Sequence, residues 1–251
     1  MIRAELLKLR RSPVWALAPI LPLLAVLAGS VNYWMNREVL TGGWQSLLSQ
    51  ITLFYGMLFY SVGVALVVAA VWRPEHRSSS WNAALTSGRS RLALVLVKSL
   101  VVMLPVAAIQ GCLLVFSFAA GLGMGLQGGL PAWFSESALL VVLVSAPLVL
   151  AQSLLSMLMR SFAGPVAFAL VASVVGFLSL ASPGTAALAL SNALPHALAT
   201  RAMHLGSSAV SDAGSLTIGA AAGILATAGA LAMVLVALTA LVVRFRTIEA
   251  R

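Results

Sequence analysis

The chain has 251 residues, of which 61% are hydrophobic and only 8% charged, and its formal net charge is +9. Soluble domains carry about 25% charged residues, so a water-facing globule is excluded and lipid must cover most of the surface. The cations flank apolar stretches and do not gather on one polar element, which argues against nucleic acid and makes the anionic inner leaflet their counter-charge.

Residues 1–12 put Ile2, Leu6 and Leu9 at helical spacing, with Arg3, Lys8 and Arg10 pointing elsewhere. That pattern predicts a short interfacial helix on the inner leaflet, in which Glu5 and Lys8 are placed to pair weakly. Pro13 then bends the chain into a first span over 14–34, read as a retained helix and not as a cleaved signal peptide. Trp15 and Tyr33–Trp34 stand where the two aromatic belts fall.

A second span runs over 48–72, and Pro74 is expected to break it. The following stretch, 73–91, carries an apolar stripe of Trp81, Ala84 and Leu85 behind Ser78–Ser80. It predicts a short amphipathic helix under the membrane, ended by Gly88. A third span covers 92–119, with Lys98 near its inner end expected to snorkel to the headgroups. The glycine run 121–125 follows no strand and lacks Gly-Lys-Ser/Thr, so it is a turn and not a phosphate cradle. Spans four and five cover 137–159 and 164–181, joined by a tight turn at Arg160–Ser161.

Residues 182–217 are too apolar for a solvated loop and too interrupted by Pro183, Pro195 and Gly206 to span. Residues 186–199 read as a re-entrant or outer-leaflet helix, which is tolerated at membrane depth only under protein or beside a water-filled cavity. A sixth span covers 218–243, and Gly219 and Gly223 form a small-residue face on it. That face suits packing inside the protomer or against a second one.

These elements make one all-α integral membrane domain over 1–251 with six transmembrane helices. With the N-terminus inside, 13 of the 15 Lys and Arg lie on one side, Arg37 and Arg201 alone falling opposite. That bias predicts a multi-pass protein with both termini in the cytoplasm. The three histidines and the lone Cys112 give no metal pattern or disulfide, and the scattered carboxylates give no hydrolytic pair. Gln110 and Gln152 are the strongest polar groups well inside spans, suited to interhelical hydrogen bonds or to a substrate path. Neither an ion-coupling site nor a nucleotide site is evident, so energy for any transport would come from another subunit.

The run Glu75-His-Arg-Ser-Ser-Ser-Trp81-Asn-Ala-Ala-Leu85, then Ser90-Arg91 and Lys98, resembles permease subunits of type 2 ATP-binding-cassette (ABC-2) transporters. Among these it is most similar to the small permeases of lantibiotic-immunity and bacitracin-resistance type. The opening Glu5-Leu-Leu-Lys-Leu-Arg-Arg-Ser-Pro13 resembles the same family. One departure is Gly88 or Arg89 where many relatives have Pro.

The resemblance implies a coupling helix within 73–91 that docks in a groove of a separate ATPase, with Glu75, His76, Trp81 and Leu85 as its contacts. In that reading Glu75 pairs with a basic group or stabilises the helix N-terminus. Arg3, Lys8, Arg10, Arg11, Arg91 and Lys98 hold the inner leaflet, and Gln110, Gln152 and Pro195 line a pathway or pack. The implied partners are a cytoplasmic ATPase dimer that binds ATP and Mg, a second permease (identical or homologous) and membrane lipids. The implied location is the bacterial cytoplasmic membrane. The implied role is non-catalytic export of an amphipathic or hydrophobic substrate such as an antimicrobial peptide, drug or lipid-like compound. A stand-alone channel or secondary transporter, or a non-translocating subunit of such a complex, is the alternative.

Overall fold

The structure is a computed structural model that describes residues 1–77, 90–182, 184–207 and 217–248. The described residues are helical, with no strand among them. Five helices are long and apolar enough to cross a membrane, or six if one bent pair counts as a single span.

Helix α1 (Ile2–Arg10) precedes a 3-10 turn at Pro13–Ala16, whose N-cap Ser12 accepts a hydrogen bond from the Val14 amide. The face of α1 that docks on the protein carries Glu5 and Leu9, while Ile2 and Leu6 stay exposed. The Trp15 indole donates to the Leu9 carbonyl at 3.0 Å and fixes the turn into α2 (Leu17–Met35).

Helix α3 (Trp44–Phe54), a π-helical turn at Tyr55–Phe59 and α4 (Tyr60–Arg77) form one continuous second span. Pro74 does not break it as expected: the helix runs past Pro74 to Arg77. One missing N–H in the last turn is a small loss, and the turn beyond it carries the buried, ion-paired Glu75.

Ser90 caps α5 (Arg91–Gly123), the third span, by accepting from the Ala93 amide. The glycine run expected to be only a turn also serves packing. Gly121 lies under the Trp44 indole, where a Cβ would approach its ring to 2.2 Å, and the Trp44 Nε1–H donates to the Gln127 carbonyl at 2.8 Å.

Helices α6 (Ala132–Val144) and α7 (Ala146–Leu158) follow as a pair bent by 40°. Pro147 accounts for the break, since it cannot donate to the turn before it and its ring crowds the carbonyl four residues back. At the bend the Ser145 hydroxyl lies against the Val141 carbonyl and hydrogen-bonds the Tyr60 hydroxyl of α4.

Helix α8 (Ala163–Ala181) leads to the segment after 182, which forms two helices where one was expected: α9 (Thr185–Ala193) and α10 (Pro195–Met203). The break is at Leu194, held extended at φ −92° and ψ 119° because a residue before proline is driven out of the helical region. Helix α10 sinks into the bundle, with Ala197, Leu198, Ala199 and Ala202 fully buried. It reaches there because Gly176 of α8 has no side chain: a Cβ would lie 2.9 Å from the Ala197 amide nitrogen. Helix α11 (Ile218–Ile248) closes the described chain, and its apolar window is only 11% buried.

Candidate functional site

Helix α1, the C-terminal turn of α4 and the first turns of α5 meet in a cluster of two carboxylates and two ammoniums. Lys98 Nζ lies 2.7 Å from Glu5 Oε2 and 3.0 Å from Glu75 Oε1. Lys8 Nζ lies 2.8 Å from Glu5 Oε1 and 3.0 Å from Glu75 Oε1. Two carboxylates and two ammoniums give a node with no net charge, the only economical way to bury such groups. Glu5, Glu75 and Lys98 are buried, at 5%, 4% and 0% exposure, while the Lys8 side chain is half exposed.

Lys98 was expected to snorkel to the headgroups, and it does not. Its ammonium also reaches the Val71 carbonyl at 3.3 Å, so three acceptors match its three protons. The Trp72 ring lies beside it, 5.4 Å from Nζ. With its partners inside the protein, the side chain has no reason to seek the interface. It sits one to two turns into α5, about 10 Å along the helix from Arg91.

Lys8 is likewise more than a leaflet anchor. Partial burial pulls its pKa down. Hydrogen bonds to Glu5 and Glu75, with their negative charges, more than offset this and raise it above the ordinary lysine value.

The node stands where segment 73–91 joins the bundle, because Glu75 lies in the last turn of α4 and Lys98 lies on α5. Glu75 does pair with a basic group, but inside the chain, so its carboxylate is not free to meet an outside partner. His76 donates from Nε2 to the Ser156 carbonyl at 2.6 Å and ties α4 to α7. Trp81 and Leu85 lie outside the described residues. Arg3, Arg10 and Arg11 are exposed on and just after α1, and Arg91 is half-buried at the start of α5. Composition and spacing missed the node because its members come from three separate segments; Glu5 and Lys98 are 93 residues apart. One signal was available: Glu5 shares a helix face with Leu9, and each buried charge needs an opposite one.

The interior polar groups gather elsewhere. The Gln152 amide nitrogen lies 3.1 Å from His196 Nε2, which joins α7 to α10. Thr200 of α10 has its hydroxyl 3.0 Å from the Gly56 carbonyl, within the π-helical turn. The Gln110 amide of α5 lies beside the Tyr60 hydroxyl, yet neither of its polar atoms makes a hydrogen bond of normal geometry. Pro195 starts α10 and faces no polar partner role of its own; its part is to set the break.

The sequence profile described as ABC-2 family transporter protein matches residues 1–176, which include the node, the loop and most of the described spans. The chain belongs to the ABC-2 transporter family, and its apolar helices make it a multi-pass membrane permease component. No curated protein and no solved structure matches the chain.

Proposed function

We propose that the chain is the permease subunit of an ABC-2 exporter, with six spans, both termini in the cytoplasm and no nucleotide site of its own. Hydrolysis of ATP with Mg on a separate cytoplasmic ATPase dimer drives it. The carrying observation is the buried charge node at the root of the 73–91 loop. Trp81 and Leu85 dock the ATPase, since buried aromatic anchors dominate interface energy. Glu75 and His76 act one step behind them, transmitting loop movement to α1, α5 and α7 through the contacts described.

The second permease, identical or homologous, packs along α11. Its Gly219 and Gly223 have open space beside them, and no described residue packs on them. The substrate is amphipathic or hydrophobic, an antimicrobial peptide, drug or lipid-like compound, as in permeases of the lantibiotic-immunity type. Gln110 and Gln152 place amide groups inside the spans, and the buried Glu5, Glu75 and Lys98 are paired with opposite charges. Helices α9 and α10 close the outer end as a re-entrant pair. The protein resides in the bacterial cytoplasmic membrane.

The coupling role is tested with Trp81→Ala. The variant inserts normally but recovers at least about tenfold less ATPase on affinity purification, the loss expected for an interface anchor worth 2 kcal/mol or so. Equal recovery with variant and wild type sinks the coupling assignment.

A further inference from the structure

The inner turn between α7 and α8 leaves a cleft of about 250 Å³ against the last turns of α4. Trp72, Met159 and Phe162 give it an apolar wall, and Arg73 and Arg160, with the His76 ring beside them, give it a polar rim carrying two guanidiniums. The rim is held in place: the Arg73 guanidinium lies 5.7 Å from the centre of the Phe162 ring, and His76 is hydrogen-bonded to the Ser156 carbonyl. Arg73 and Arg160 are exposed, and neither pairs with a carboxylate among the described residues. Among the described residues no Asp or Glu lines the cleft. The neighbouring Glu75 is committed to Lys8 and Lys98.

We propose that this cleft binds the headgroup of an anionic phospholipid, with the guanidiniums of Arg73 and Arg160 taking the phosphate and Phe162 and Met159 meeting the acyl chains. Guanidinium forks match phosphate oxygens in geometry as well as charge. A free anion would use the rim and leave the apolar wall idle. Phe162 and Met159 remain 40% and 38% exposed beside the cations, so the amphipathic pairing favours a lipid. The site does not depend on any ATPase partner.

The test uses the full purified chain in mild detergent with phosphatidylglycerol and phosphatidylcholine in equal amounts, read by native mass spectrometry. A cation near an anionic headgroup contributes about fivefold, so wild type retains one phosphatidylglycerol with a preference of about twenty-five-fold. Arg160→Gln alone loses about fivefold of that preference, and Arg73→Gln with Arg160→Gln together bring it close to one. Arg10→Gln with Arg11→Gln removes two exposed cations on α1 and its flank, and the wild-type preference survives. An unchanged preference in the Arg73/Arg160 double variant overturns the site. Displacement of the bound lipid by millimolar inorganic phosphate overturns the lipid as its occupant.

Discussion

At the residue scale the two lysines of the node should behave differently. Lys98 is fully buried, and replacing it with Met leaves Glu5 and Glu75 with one half-exposed cation between them. Removing one partner of a buried pair costs about 3–5 kcal/mol, so Lys98→Met gives a large fall in Tm in mild detergent. Lys8 is half exposed, and solvent screens its pairs, so Lys8→Met costs about 1 kcal/mol or less. Its pKa is raised in the folded protein. The stability that the Lys8 charge adds is therefore fully present below the ordinary lysine value of about 10.4 and is lost as pH rises through the higher folded value. The Tm gap between wild type and Lys8→Met should stay constant from about pH 6 to about pH 9 and close only in stronger alkali. A gap that already closes near neutral pH would contradict the ion-pair assignment.

At the element scale the outer segment depends on one close approach. Gly176 of α8 faces the backbone of α10 at Ala197, and any side chain there must displace it. Gly176→Val should cost about 1–3 kcal/mol and loosen α10 from the bundle, read as faster amide exchange over 195–203. Exchange unchanged from wild type would mean that α10 is held by other contacts. The spans were legible because apolar runs and interfacial aromatics report directly on membrane burial. The two proline positions were harder. Pro195 and Pro74 carry the same local signal, yet one breaks a helix and the other is tolerated, because Glu75 beyond Pro74 gains long-range partners. The bend at Pro147 was open to the same local reasoning, but the long apolar run hid it.

At the scale of the whole molecule, the candidate site was legible as a segment but not as a constellation. The family resemblance rested on the run from Glu75 to Leu85 and on Lys98, and the profile match to 1–176 supports that family. The sense of those charges was not legible. Lys98 read as a snorkelling anchor because nothing in the sequence places Glu5 and Glu75 against it; only the packing of α1 on α4 and α5 does. That packing turns scattered charges into a neutral node at the base of segment 73–91, where movement imposed by a partner would reach three helices together. Helix α11, barely buried by the described residues, leaves a long apolar face uncovered, where the proposed second permease would pack.

The most direct measurement is gentle solubilisation of the protein from native membranes, followed by identification of what purifies with it. A soluble ATPase with a phosphate-binding Gly-Lys-Ser/Thr loop, in fixed stoichiometry with this chain, is the predicted result. Recovery of the chain alone, in a detergent shown to preserve such complexes, would contradict the permease-subunit reading and favour a protein that works without an ATPase.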